Sequence, residues 1–214
     1  IPALYVDRKR RLWIGTTRGL LMLDLFSYAR SHKNFKYTYF KYELDEPKSM
    51  RLEKINSILE DGEGTLWLGG NGSGLYKVSE NERGHFDFTN YTVRNGLPDN
   101  TVIGMTRDGQ GNLWIVTHDG ICKLNVMAMS FTNYTAGDGL PFTQYSWNGI
   151  HYSSRYDRIY VATNMGMLVI RPEELDSPSV DRVVKLTSLT IAGNPIYPSS
   201  GDYLKQNITK ASSI

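Results

Sequence analysis

Four histidines (His32, His85, His118 and His151) and one cysteine, Cys122, are the side chains of this 214-residue chain best suited to metal or nucleophilic chemistry. No histidine stands at a ligand spacing from another ligand type. Cys122 lies in the apolar-alternating run GICKLN with no base patterned beside it, which predicts a buried, inert thiol. The runs DGEG at 61–64 and DGQG at 108–111 resemble pieces of a calcium loop but lack its further carboxylates, so hairpin turns are expected there. Glu173 and Glu174 follow Pro172 in RPEEL and suit the solvated first turn of a helix better than a paired acid and base. No Ser-His-Asp order and no phosphate loop can be traced. The residues therefore point to binding rather than catalysis: not an enzyme, no cofactor, no metal.

The elements that would position a binding site are written as a repeat. VDRKRRLWIGTTRGLLMLD (6–24), EDGEGTLWLGGNGSGLYKVS (60–79) and RDGQGNLWIVTHDGICKLN (107–125) share one pattern, and YDRIYVATNMGMLVIRP (156–172) is a worn copy. Their anchors Trp13, Trp67, Trp114 and Tyr160 recur every 46 to 54 residues. FTNYT occurs at both 88–92 and 131–135, each time followed by a GLP tail, with YFKYE at 39–43 as a blurred earlier counterpart. Each unit reads as a short apolar-alternating strand, an Asp/Gly turn, the LW strand, a second Gly turn and strand, a polar link and an aromatic strand, with no helix of any length. Four short strands repeating at this period are the blades of a β-propeller. The tryptophans are expected to be buried wedges between blades, with the indole N–H on a carbonyl.

The fold class expected is therefore all-β: about four four-stranded antiparallel blades, part of a larger propeller. The blades are set at 1–46, 47–94, 95–137 and 138–176, with 177–214 as linker and the first strands of a β-sandwich. A formal charge of +2, with its densest basic cluster confined to the hairpin tip DRKRR, argues against nucleic acid. No apolar run reaches the length of a membrane span. The start IPALYV reads as the middle of a strand with no signal peptide, as in a piece of a longer protein.

The run NGLPDNTVIGMTRDGQGNLWIVTHDGICKLN at 95–125 closely resembles the two-component-regulator propeller repeat, and INSILEDGEGTLWLGGNGSGLYKVS at 55–79 is a second match. The run from 137 to 175 looks like the last blade of such a propeller. VVKLTSLTIAGNPI at 183–196 resembles the opening of the juxtamembrane β-sandwich in the same proteins. The resemblance implies the periplasmic, non-catalytic sensor region of a Bacteroidetes hybrid two-component histidine kinase, recognising an oligosaccharide and controlling polysaccharide-utilisation genes. The implied partners are an oligosaccharide and the remaining blades and sandwich of the same protein; separately, the open flanks of four blades cut from a larger ring lead to the expectation of a homodimer, joined flank to flank or through the tail, with closure of the four blades into a small ring as the alternative. A membrane would be met only through a transmembrane helix outside this chain. A propeller-fold polysaccharide lyase or glycosidase, or a protein-interaction scaffold, are the alternatives.

In a propeller, the loops before each first strand and those between the second and third strands share one face. Residues there that differ between blades are free to read a ligand: Arg18, Asn71, His118, Asp119, Asn164 and Met165 from the second set, and Asp99, Asn100, Gln144 and Trp147 from the first. Trp147 is aligned with Gly104 of the preceding blade, so a large ring stands where a small residue would serve. Such a set suits a sugar, with an aromatic plane for apolar ring faces and amides and carboxylates for hydroxyls.

Overall fold

Each tryptophan-bearing strand is the second of a small antiparallel meander. In a computed structural model, which describes residues 3–31, 36–40, 54–140, 144–175, 190–191 and 194–195, these meanders stand in order along the chain. Blade one is β1 (Ala3–Val6), β2 (Arg11–Gly15), β3 (Leu20–Asp24), helix α1 (Leu25–Arg30) and β4 (Tyr37–Phe40). Blade two is β5 (Ile55–Glu60), β6 (Leu66–Gly70), β7 (Leu75–Glu80) and β8 (Phe86–Tyr91). Blade three is β9 (Val102–Arg107), β10 (Leu113–Thr117), β11 (Gly120–Asn125) and β12 (Ser130–Tyr134). Blade four is β13 (Tyr145–Ser153), β14 (Arg158–Thr163) and β15 (Gly166–Ile170). The architecture is the expected all-β propeller, with each strand hydrogen-bonded to its chain neighbour.

By contacts the chain divides into one unit of Ile1–Pro172, holding the blades, and a second of Glu173–Ile214. Pro172 opens the short helix α2 (Pro172–Leu175), which carries Glu173 and Glu174 in its first turn as expected. Of the second unit's strands, only the pair β16 (Thr190–Ile191) and β17 (Asn194–Pro195) is described. The rest of the expected sandwich strand lies outside the described residues, as do residues 41–43 of YFKYE.

Three details differ from expectation. Blade four has three described strands rather than four. The polar link of blade one contains α1, begun by Asp24, whose carboxylate accepts from the backbone N–H of Phe26 and Ser27. This is ordinary N-capping by an Asp that the strand pattern had absorbed into β3. The third concerns the indoles, which find a carboxylate rather than a carbonyl. Trp13, Trp67 and Trp114 donate to Oδ2 of Asp7, Asp61 and Asp108, each at 2.8 Å. The other oxygen of each aspartate accepts the backbone N–H four residues on, from Arg11, Thr65 and Asn112 at 2.8–2.9 Å. One buried carboxylate thus closes the hairpin and caps the wedge, which satisfies a charge that would otherwise be costly to bury.

The core lies between the blades. Trp13, Trp67 and Trp114 are at most 1% exposed. Trp13 packs on Ile58, Leu66, Leu68 and Tyr76 of blade two. Trp67 packs on Met105, Leu113, Ile115 and Cys122 of blade three. Trp114 packs on Ile159 and Val161 of blade four. The repeated FTNYT also finds its reason. After β8 and β12, Thr92 with Asn95 and Thr135 with Asp138 form capping boxes around a single 3-10 turn. Gly96 and Gly139 then turn left-handed, at φ 114° and 93°, and Leu97 and Leu140 drop into the next inter-blade core.

Candidate functional site

The strand registers send the loop between the second and third strand of every blade to one end of the sheets. There it meets the segment that starts the first strand, as in the pairs Ala3 with Gly15, Ile55 with Gly70, Val102 with Thr117 and Tyr145 with Thr163. Thr16, Thr117 and Thr163 pin three of these turns by donating Oγ1 to the carbonyl of Gly19, Gly120 and Gly166. Gly19, Gly74 and Gly120 have φ of 140°, 81° and 151°, and a Cβ on any of them would strike the carbonyl at the end of the fourth strand. Their recurrence is a matter of shape.

Several candidates are occupied in building this end. Asp99 accepts from the N–H of Thr101 at 2.7 Å, and Asn100 Oδ1 accepts from the N–H of Val93 at 2.9 Å. The Asn164 side chain accepts from the N–H of Gln144, whose carbonyl accepts the Asn164 N–H, and this pair clips the start of β13 to the β14–β15 turn. Asn71 donates its N–H to the Lys54 carbonyl at 3.1 Å with its side chain exposed. Arg18 and Asp119 are exposed, and Met165 is 81% exposed at the blade-four turn.

Two candidates meet. The rings of His118 and Trp147 lie edge to face, 6.0 Å between centroids. Trp147 is 51% exposed, and the Lys54 ammonium stands 5.4 Å from its ring centre. The alignment of Trp147 with Gly104 is corrected by the register. Gly104 pairs with Val116 beside Met105–Ile115, and in blade four Ile150 pairs with Val161, so Gly149 is the counterpart of Gly104. Trp147 belongs instead to a wide bulge, because residues 145–150 of β13 oppose only 161–163 of β14. Asn148 sits in that bulge at φ 54°. A Cβ on Gly104 would press on Ile150 and on Asn148 Cα at 3.1 and 3.2 Å, so the glycine is what lets the bulge approach blade three.

The bulge is tied across the blades. Asn148 Nδ2 donates to the Asn56 carbonyl at 2.8 Å, and Asn56 Nδ2 donates to the Val102 carbonyl at 3.1 Å. Blades two, three and four are thereby linked at their first strands. Lys54, Asn56 and Asn148 were not singled out from sequence. Two signals were available: a lone amide inside the apolar strand INSIL, which must find partners when buried, and the Asn-Gly pair within a strand, which marks a bulge.

At the opposite end of the sheets a cleft of about 470 Å³ runs between blades one and two. Its charges answer one another: Arg11 pairs with Asp7 at 2.6 Å and with Glu80 at 2.8 Å, and Lys9 with Glu80 at 2.8 Å. Burial works against the charge on Glu80, but its bonds to Lys9 and Arg11 outweigh this and hold its carboxyl below the ordinary value. The pairs to Glu80 join blade one to blade two. Cys122 is fully buried, and burial pushes its thiol up to about 12, against the opposing hydrogen bond with Thr132, so it is no nucleophile at neutral pH. Among the described residues no three His, Cys, Asp or Glu side chains come together as metal ligands, and no helix is long and apolar enough to cross a membrane.

The comparisons with known proteins agree with this architecture. Residues 49–72 and 96–119 match the family described as two component regulator propeller. The chain is 26% identical over 203 residues to histidine kinase P4 of Formosa agariphila, covering 94% of this chain and 14% of the kinase. Among solved structures, it is similar to PorZ, a surface component of the type-IX secretion system of Porphyromonas gingivalis. That match has a TM-score of 0.58 at 15% identity, covering 80-odd per cent of this chain (81%) and 27% of PorZ, and shows the fold alone. The extracellular domain of a protein assigned as a hybrid two component system of Bacteroides thetaiotaomicron gives a TM-score of 0.45 at 20% identity, over 92% of this chain and 32% of that one. The chain thus spans a third or less of the length of each of these relatives. The matched repeats are those of the Trp67 and Trp114 blades, which are similar to the two-component regulator propeller repeat.

Proposed function

We propose that this chain is part of the extracytoplasmic, non-catalytic sensor region of a hybrid two-component histidine kinase, and that it recognises an oligosaccharide at the Trp147 bulge. The observation that carries the reading is the half-exposed Trp147 ring held between His118 and Lys54 on a bulge bonded to two other blades. An aromatic ring half exposed to water, with an imidazole edge to face against it and an ammonium over one of its faces, leaves apolar ring surface and hydrogen-bond donors for the apolar face and hydroxyls of a pyranose ring. The family match and the likeness to a histidine kinase along most of the chain support the signalling role. In this reading residues 1–176 are propeller and 177–214 lead into the juxtamembrane sandwich. The protein sits in the periplasm, and its output is control of polysaccharide-utilisation genes. Arg18, Asn71, Asp119 and Met165 are the further exposed side chains available to the same ligand.

Calorimetric titration with a panel of oligosaccharides, with product analysis of the same samples, tests this. Saturable binding without turnover, weakened about tenfold or more by Trp147→Ala, is the expected result. Turnover of any panel member overturns the non-catalytic reading. Binding untouched by Trp147→Ala overturns the site.

A further inference from the structure

Three consecutive blades each bring one side chain to the same place. Lys54 stands just before β5 of blade two, His118 in the β10–β11 turn of blade three, and Trp147 in the bulge of blade four. The lysine is particular to its blade. Ile55 opposite Gly70 matches Val102 opposite Thr117, so the blade-three equivalent of Lys54 is the uncharged Thr101, which is buried. The backbone at Lys54 is pinned on both sides. Its carbonyl accepts the N–H of Asn71, and the N–H of Ile55 donates to the Thr16 carbonyl, each at 3.1 Å. A fixed backbone thus delivers the ammonium to a ring two blades further on, 5.4 Å from its centre.

What this ammonium lacks is an anion. At the hairpin end the cations are paired, Arg8 with Glu60, Arg11 with Asp7, and both Lys9 and Arg11 with Glu80. Lys54 pairs with no carboxylate among the described residues and rests on an aromatic ring instead. Two carboxylates of the loop end are already engaged: Asp99 accepts the N–H of Thr101, and Asp138 that of Thr135. Asp119 is exposed in the turn beside His118, which leaves the lysine side of the ring as the place for a negative charge. A sugar docking on Trp147 takes water from the ammonium. A hydroxyl repays that desolvation poorly, whereas an anion repays it with a charge-assisted hydrogen bond stronger than the contact with the ring.

We infer that the oligosaccharide taken at the Trp147 bulge is an anionic one, and that Lys54 is its specificity-determining residue, donating to a carboxylate or sulfate ester on the sugar stacked against the ring. The inference rests on the reading of Trp147 as a sugar site and names the chemistry of the ligand. Selectivity then comes from the difference between a charged sugar that pairs the ammonium and a neutral one that leaves it unpaired.

The test is calorimetric titration of the chain with two matched pairs of probes. One pair is an oligogalacturonide and the same oligosaccharide with its carboxylates reduced to hydroxymethyl groups. The other is a sulfated galactan oligosaccharide and its desulfated form. At least one charged member should bind about tenfold or more tighter than its neutral counterpart. The gap should narrow between about 0.01 M and about 0.5 M salt, as the charges are screened. The pair that shows the gap tells a carboxylate from a sulfate. Lys54→Gln should bring the two members to within about twofold of each other, while Lys54→Arg keeps the preference. Melting temperatures check the fold of both variants, and Lys54→Met replaces the Gln variant should that one unfold. Equal binding of charged and neutral members by wild type overturns the inference. So does failure of both charged probes to bind, a preference that survives in Lys54→Gln, or one that is lost in Lys54→Arg. If charged and neutral members bind alike and Trp147→Ala weakens both, the sugar site stands and only its charge selectivity falls. Binding untouched by Trp147→Ala strikes the site itself.

Discussion

Trp114 and Trp147 belong to neighbouring blades and put the same side chain to opposite uses. Trp114 stands on a regular strand, donates its N–H to Asp108 and is sealed by Ile159 and Val161. Trp147 stands on a bulge, is half exposed, and has a histidine edge to face with it and a lysine ammonium over its ring. Regular pairing places a side chain where every blade needs one, and a bulge places it where only one blade has it. The hairpin end of the sheets is thus given to repetition, and the loop end to difference.

The comparison can be broken most severely at the wedge. Trp114→Ala removes a fully buried indole and leaves Asp108 without one of its donors, and should destabilise the fold by about 3–5 kcal/mol in a denaturant titration. A loss near zero would mean that the joint is not what holds blades three and four. Asp61→Ala keeps the indole of Trp67 but orphans its N–H and that of Thr65, and should cost about 1–3 kcal/mol.

A smaller effect, and one confined to acid, belongs to the joint between blades one and two. Glu80 has a folded pKa below its ordinary value, so the folded state takes up its proton less readily than the unfolded chain. Its contribution is present above the ordinary carboxylate range and is lost as pH falls through the lowered folded value. Melting temperature against pH should therefore fall on the acid side, less steeply in Glu80→Gln than in wild type. Parallel curves would remove Glu80 from the account. The smallest change in stability is expected at Trp147. Its replacement by alanine should shift stability by no more than about 0.5–1 kcal/mol, because half the ring already lies in water. A loss as large as that of Trp114 would make it a core residue and withdraw it from the proposed site.

Much of this was written plainly in the chain. The period of the LW strands, the Asp-Gly turns and the Gly-Leu tails require four sheets of one plan, since only strands of that length and turns of that chemistry satisfy them. Burial of Trp67, Trp114 and Cys122 follows from their place in alternating strands, and the helical turn at 172–175 from Pro172 with its two glutamates. The aspartate–indole bond was half legible: the spacing of six residues recurs in three blades, but a turn-forming Asp and a capping Asp look alike in sequence. Helix α1 was hidden because Asp24 ends a strand and caps a helix at once.

The site was less legible than the frame. Repeat geometry put His118 and Trp147 on one face, but neither their contact nor the residues that hold them could be drawn from it. Lys54 and Asn56 lie more than ninety positions before Trp147 and Asn148, and nothing local to either segment says that they touch. A bulge is a mismatch between two strands, so no single strand reveals it. Local pattern therefore determined the blade, its wedge and its turns, because those contacts repeat at fixed spacing along one chain. Which loop residues brace the fold and which stay exposed was decided by the packing of one blade on another, where small register shifts move a side chain from core to water.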